Sequence, residues 1–434
     1  MITLVIIKLE KIKKQRCDHM NNYIKESNQM KELLLDFGLK IAKKIHKPKI
    51  KFICEMIFGI ASSKSIHLTN IARSLKEEIS VKETANRLYE NLNVLDCEDL
   101  WKKYRETLKP FINENTLFHL DNSDVIKPYG THFEDLGMVK DGSSKDGNIE
   151  KGYPVTEITA LLEDSITPIS VYSQIFSNIS SAYISDNEET DKALDSVYES
   201  FEAVGTCVMD RAYDDKKRFE YFLNKKWRFI IRGKKNRNLY YKEHKYKVNE
   251  FAEKYKGKIN IKVHLKNKVV NRKASYFKVR LNGMKEEIYV VFVYFKGETA
   301  IFYTNRELTC KKDVIKVVSS YFKRWRIEEY FKFKKQEYGF EKFRVRSMKS
   351  INALNTLLTM TISAIASLCE KETNLARTII ECSKPIKEKV YFKYYRVSNG
   401  VYFLLSLLKV GLAHIFRPKE KEKQLQLFSF LDGV

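Results

Sequence analysis

Over the first 112 residues, apolar side chains recur at spacings of three and four with almost no glycine, which predicts a helical region. Inside it, "HLTNIARSLKEEISVKETANRLYENL" (67–92) splits into two short helical patterns around Ile79-Ser80. Either a helix-turn-helix, whose second helix enters a DNA groove, or an ordinary helical hairpin has this pattern. From 115 the texture changes: "NTLFHLDNSDV" is a short apolar run closing on acids, and the loop after it holds Gly130, Gly137, Gly142 and Gly147. "YPVTEITALLEDSITPISVYSQIF" (153–176) reads as two strands about a turn at Glu163-Asp164-Ser165. Residues 188–204 have helical periodicity with acids in the first turn, and "TCVMDRAYDD" (206–215) is another apolar run closing on an aspartate. "RFEYFLNKKWRFIIRG" (218–233) gives a helix and then a strand.

This alternation predicts an α/β class, a mixed sheet with helices packed on its faces. Residues 234–309 break the rhythm: strict alternation over 276–304, with Asn282-Gly283 and Lys296-Gly297 as turns, predicts an antiparallel, β-rich insertion. A long helix is expected over 311–338, stopping at Gly339, with apolar helices over 351–370 and 403–416 after it.

Composition narrows the function. The chain has 434 residues, 44% hydrophobic and 12% aromatic, enough for packed cores. Lys+Arg number 79 against 55 Asp+Glu, a net charge of +24 that points to a polyanionic partner, nucleic acid before anionic membrane. Seven cysteines with no C-x-x-C pair argue for a reducing compartment, against a zinc ribbon or disulfide framework. The apolar run at the N-terminus is too short for a signal peptide, and no uninterrupted apolar window reaches ~18 residues. The expectation is a cytoplasmic, nucleoid-associated protein with no membrane partner; heavy use of Lys, Ile, Asn and Tyr suggests an A/T-rich bacterial genome.

The candidate chemistry lies in acids. Asp121 and Asp210 close apolar runs, at the carboxyl edge where α/β sheets usually bind ligands, and Asp124 is an alternative to Asp121. Glu328 stands on the long helix, in "YFKRWRIEEYFKFKKQEYG" (321–339). There Tyr321, Arg324, Glu328 and Lys335 fall within an arc of roughly 60° at ~100° per residue. Hard carboxylate oxygens suit Mg²⁺ or Mn²⁺, and two such ions clamp both oxygens of an in-line phosphoryl displacement. Basic stretches at 224–247 and 341–350 read as phosphate-tracking surface or as solvated charge. His119 and His132 read as core or surface histidines.

The Y-x2-R-x3-E-x6-K spacing, after "LDNSD" and "MDRAYDD", resembles the DDE transposases of bacterial insertion sequences, in the group defined by that signature. "DLGMVKDGSSKDGNIEKGY" (135–153) and "WRFIIRGKK" (227–235) are similar to family segments. The resemblance implies an RNase H-like catalytic core (113–233 and 310–370) interrupted by the β-rich insertion (234–309). A helical DNA-binding domain (1–112) and a helical C-terminal region (371–434) would flank it. It implies Asp121, Asp210 and Glu328 as the catalytic triad holding two Mg²⁺ ions, with Mn²⁺ as substitute. Tyr321, Arg324, Lys335 and Arg232 would be DNA contacts. The implied activity is cut-and-paste transposition: cleavage at the element's ends, then joining of the 3′-OH ends to target DNA, by a homodimer on terminal inverted repeats. Close relatives form a hairpin with a base flipped onto an aromatic side chain. Here no tryptophan lies between Trp227 and Trp325, which leaves Tyr289, Phe292, Tyr294 and Phe295 as substitutes. The rival readings are a DNA-binding protein without catalysis (a regulator or an inactive transposase remnant) and a plain RNase H-like nuclease.

Overall fold

The computed structural model describes residues 23–416 apart from 143, 145, 258, 266–267, 370–372, 384–391 and 413–415. The ends of the expected N- and C-terminal regions, 1–22 and 417–434, lie outside the described residues. Among the described residues five helices come first: α1 over 23–41, α2 (Lys47–Ser63), α3 (Leu68–Leu75), α4 (Val81–Val94) and α5 (Cys97–Leu108). The pattern at 67–92 is the α3–α4 pair, and a reciprocal capping box starts α4: Glu83 N donates to Ser80 Oγ (3.2 Å) while Ser80 N donates to the Glu83 carboxylate (3.0 Å).

The core strands follow: β1 (Leu117–Ile126), β2 (Gly137–Lys140), β3 (Ile149–Leu161), β4 (Ile169–Ile175), then α6 (Asp186–Phe201), β5 (Thr206–Met209), α7 (Lys216–Asn224) and β6 (Arg228–Arg232). β3 lies antiparallel to β1 and to β4, whereas β5 runs parallel to β1 and β6 parallel to β5. The order β4-β3-β1-β5-β6, with those directions, is an RNase H-like mixed sheet. The insertion comprises β7 (Asn238–Tyr241), β8 (His244–Lys247), α8 (Val248–Lys254), β9 (Ile259–Leu265), β10 (Lys268–Leu281), β11 (Glu287–Phe295) and β12 (Glu298–Thr304). It extends the core instead of hanging from it: β12 pairs with β6, so a single 12-stranded sheet runs from β2 to β8. Gly283 (φ 81°) and Gly297 (φ 80°) turn its hairpins in a conformation that costs glycine little.

Strand parity sorts the layers. Phe118, Leu120, Cys207, Met209, Phe229 and Ile231 point to the face covered by α6, α7 and α8. Leu117, Val208 and Ile230 point to the other face, under α9 (Lys311–Lys323). Further along that face, Val125, Tyr153 and Val155 meet α10 (Trp325–Tyr338) and α11 (Met348–Cys369). Helices α1 to α5 join α11, α12 (Asn374–Cys382) and α13 (Tyr394–Ser406) in one apolar core. Among the described residues α11 alone is long and apolar enough to cross a membrane, and 94% of its most apolar window is buried inside the protein.

Two helices differ from expectation. The helix expected over 311–338 is two, α9 and α10, meeting at Arg324. The apolar run 403–416 is not one helix: α13 ends at Ser406. Its position is set by contact with α12, where a Cβ on Gly400 would stand 1.9 Å from the Ile379 carbonyl oxygen. Beyond that end Gly411 packs on the Leu75 backbone at the end of α3. Gly400→Ala therefore has to push α12 and α13 apart, at a cost of about 1–3 kcal/mol. A thermal melt of that variant is expected to show a lower Tm, with secondary structure retained at room temperature.

Candidate active site

The sheet aligns a row of polar residues at one level. Asp121 faces Glu157 on β3, and Glu157 faces Ser173 on β4. On the other side Leu120 pairs with Met209, so Asp121 and Asp210 stand next to each other one step further along two parallel strands. Met209 pairs with Ile231, which sets Arg232 beside Asp210. Ser173, Glu157, Asp121, Asp210 and Arg232 thus cross five strands on the face covered by α9 and α10.

Helix α10 brings the third acid. Arg324 keeps helical dihedrals (φ −55°, ψ −30°), but its N–H donates to Tyr321 O (2.9 Å) and its own carbonyl accepts from Ile327 N (3.0 Å). Both bonds close over three residues, so the helix tightens to one 3₁₀ turn where α9 becomes α10. From that turn Arg324 donates to Asp121 Oδ2 at 2.7 Å and to Glu328 Oε1 at 2.6 Å, bridging two of the three acids. Tyr321 Oη donates to Asp210 Oδ1 at 3.1 Å, its ring packed 4.7 Å from that of Phe302 on β12. Glu328 is half-buried like Asp121 and Asp210, whereas Arg324 is 8% exposed.

The expected DNA contacts are engaged internally. Besides Tyr321 and Arg324, Lys335 bonds Asp124 Oδ2 and Glu341 Oε1, both at 3.0 Å, and Arg232 meets Glu298 at 3.3 Å. Asp124, the alternative to Asp121, also accepts from Gly142 N (3.2 Å) and so serves the rim. The other acids of "MDRAYDD" have structural duties. Asp214 is buried and receives Lys234 N (2.6 Å) and Arg237 Nε (2.5 Å), while Asp215 caps α7 through Arg218 N (2.9 Å). In the basic stretch at 224–247, Arg228 pairs with Glu114, Arg237 with Asp214, and Lys225 with Asp195. The stretch at 341–350 differs: Phe343 and Val345 are buried while Lys342, Arg344 and Arg346, which alternate with them, are exposed, a comb of cations beside Glu341, the partner of Lys335. Among the four aromatics of the insertion, Phe292 and Tyr294 are buried, and the Tyr294 hydroxyl is tied to Ser275 and to the Ala252 carbonyl. Tyr289 and Phe295 are half-buried.

Electrostatics reflect the crowding. Burial pushes the Asp121 carboxyl up to about 6, Arg324 opposing and Glu328 and Asp210 adding to the rise. Glu328 is raised too, by burial first, against the pull of Arg324. His119, two residues before Asp121 on the same strand face, is fully buried with no hydrogen-bond partner on either ring nitrogen, and burial and then Arg324 hold its pKa down to about 3. A neutral imidazole behind the acids is a core residue in this arrangement. The donor set, three carboxylates of which Asp121 and Glu328 are raised by burial and by neighbouring acids, fits a hard divalent cation. Among the described residues no three His, Cys, Asp or Glu side chains stand arranged to hold a metal ion, because the Arg324 guanidinium lies between Asp121 and Glu328. Loading a cation there requires Arg324 to release them.

The fold and its acid row define an RNase H-like protein with an acidic centre at the carboxyl edge of the sheet. Residues 174–363, somewhat under half of the chain, match the family model described as "Transposase DDE domain", and this part of the chain is similar to that domain. The match spans Asp210 and Glu328; Asp121 precedes it and joins them through the strand order. No curated protein matches the chain. It is similar to a solved structure described as "Cryo-EM structure of piggyBac transposase synaptic complex with hairpin DNA (SNHP)", at 9% identity and TM-score 0.41, covering 93% of this chain and 83% of that one. That likeness is too loose to transfer any role.

The sequence pattern did not single out Glu157 or Lys334. Glu157 had a signal, as the one charge within "YPVTEITALL", but Lys334 is indistinguishable by sequence from the lysines around it. The raised Asp121 pKa has a consequence for stability. A carboxyl at about 6 in the folded chain, against 3.8 ordinarily, binds more protons folded than unfolded, so its charge costs stability increasingly from pH 4 to 6 and fully above. Asp121→Asn is therefore expected to melt at a higher temperature than the native chain at pH 7. The difference should shrink as the pH falls toward 4, and melts across that range without divalent metal check it.

Proposed function

We propose that the protein is a cut-and-paste DNA transposase whose site is Asp121, Asp210 and Glu328. It cleaves the ends of its insertion sequence and joins the 3′-OH ends to target DNA by two-metal phosphoryl transfer. The observation that carries this reading is the convergence of three carboxylates, from β1, the end of β5 and α10, in a chain similar over 174–363 to a transposase DDE domain.

Asp121, Asp210 and Glu328 would hold two Mg²⁺ ions (Mn²⁺ substituting), which when bound supply charge neutralisation on the phosphate and an activated nucleophile. The chain's own residues prepare that centre. Arg324 keeps Asp121 and Glu328 neutralised while the site is at rest, and an arriving phosphate offers its two donors a competing bidentate partner. Tyr321 and Lys335 stand at either end of the acid group and can exchange their carboxylate partners for phosphate oxygens in the same way. Arg232 extends the cationic lining toward β12, and the exposed comb of Lys342, Arg344 and Arg346 gives the backbone of a duplex a track past the site. The N-terminal helices, with the α3–α4 pair, would bind the terminal inverted repeats. Each site would need both ends brought together, hence a homodimer on DNA.

The test uses the gene's flanking DNA on a supercoiled plasmid with Mg²⁺ or Mn²⁺. The native protein is expected to cut at discrete flanking positions and join the ends. Glu328→Gln should lose about a thousandfold or more in rate, corresponding to ~4 kcal/mol of transition-state stabilisation, while still binding DNA. Binding without cleavage by the native protein would favour a regulator or remnant, and cleavage without joining a plain nuclease. Separately, Arg344→Ala and Arg346→Ala should each lower the slope of log affinity against log salt by about one, measured by fluorescence anisotropy on a non-specific duplex.

A further inference from the structure

Among the described residues, the most completely buried ion pair lies outside the triad. Lys334 Nζ and Glu157 Oε2 are 3.0 Å apart, and both side chains are 0% exposed. Both charged groups have several hydrogen-bond partners. Glu157 Oε1 accepts from Ser170 Oγ, and Oε2 accepts from Ser173 Oγ (2.8 Å) as well as from Lys334. The ammonium also donates to Ser173 Oγ (3.1 Å) and stands 4.5 Å over the Phe340 ring. Asn355 on α11 donates to Ser173 Oγ (2.9 Å) and closes the network against the helical core.

The sheet is deformed at this seat. Ser170 and Ser173 are three residues apart, and on a regular strand they would point to opposite faces. The β3–β4 register shifts between Ile158 and Thr159, pairing Glu157 with Ser173 and Thr159 with Ser170, so Val171 is the extra residue of a bulge. That extra residue brings both serines to the Glu157 side. Glu157 is also the direct cross-strand neighbour of Asp121, and Lys334 follows Glu328 by six residues, about 9 Å along the helix.

We propose that Glu157 and Lys334 are positioning residues that fix the register of α10 on the sheet and so set where Glu328 and Arg324 stand over Asp121. The proposal rests on the catalytic reading of that triad. A buried pair is a poor source of stability, since apolar side chains of similar volume usually replace one without loss. It is a strong source of register. Apolar ridges tolerate small slides, but shifting α10 by one residue turns Lys334 by ~100° and moves it ~1.5 Å, out of reach of Glu157. Lys335, the next residue, bonds Asp124 at the rim, so consecutive lysines tie the helix to β3 from within and to β1 from outside.

The test compares the full native chain with Lys334→Met and with Glu157→Leu/Lys334→Met. Thermal melts are combined with metal-dependent plasmid cleavage. The distance between nitroxides carried on azidophenylalanine in place of exposed Lys332 on α10 and exposed Met138 on β2 is measured by pulsed electron resonance. Lys334→Met alone should lower Tm, because it strands a buried carboxylate. The double variant should recover Tm to near the native value. Its inter-label distance should nonetheless shift or broaden by roughly 1.5 Å or more, and its cleavage rate should fall by about 10–100-fold. A double variant with the native distance overturns the proposal. So does one whose Tm stays as low as in Lys334→Met, or one that has a shifted distance but cuts at the native rate. If the native chain cuts nothing while the distance shifts as expected, the positioning role stands and the catalytic reading fails instead.

Discussion

Alternation along β-strands is the constraint from which the rest of this site follows. Because every second side chain faces the same way, one level of the sheet can present Glu157, Asp121, Asp210 and Arg232 together on one face. Their neighbours Leu120, Met209 and Ile231 hold the opposite core. A slip of one residue in any of the pairings would exchange acid for apolar side chain on both faces. The register of the apolar core and that of the acidic centre are the same fact.

Gathering carboxylates runs against electrostatics, and the chain manages the conflict with three cations and a tyrosine hydroxyl drawn from one helical segment. Tyr321, Arg324, Lys334 and Lys335 each bond a different part of the acid row, Arg324 bridging Asp121 and Glu328. The 3₁₀ turn at Arg324 makes this possible by joining α9, seated on β5, β6 and β12, to α10, seated on β1 and β3. Burial first, and then the neighbouring acids Glu328 and Asp210, keep the Asp121 carboxyl raised even so. Stability is thus spent on a concentration of negative charge that the fold itself does not need.

Much of this was legible in sequence, for physical reasons. Strands ending in Asp121 and Asp210 stood out because apolar runs that stop on acids are local signals, and the aromatic helix bearing Glu328 stood out by its spacing. What local pattern could not show was partnership. Tyr321, Arg324, Lys335 and Arg232 read as phosphate contacts, and only the fold reveals the acids they hold in its absence. Lys334 looked like one more surface cation because burial is a property of the assembled layers. The break at Arg324 was invisible because its dihedrals remain helical and only the hydrogen-bond spacing changes. The end of α13 at Ser406 was not legible either, because the apolar run continues past it.

The shared core at the chain's two ends has a consequence for synthesis. Helices α1 to α5 emerge from the ribosome first, yet their apolar faces close on α11 and α13, translated some 250 residues or more later. At about 5–20 residues per second, the first part of the chain spends on the order of ten seconds or more with that surface uncovered. The acidic centre spans the same interval, since α10 is made long after β1. A ribosome that stops early therefore releases a chain that neither completes its helical core nor assembles its site. The order of translation leaves truncated products without an assembled acidic centre.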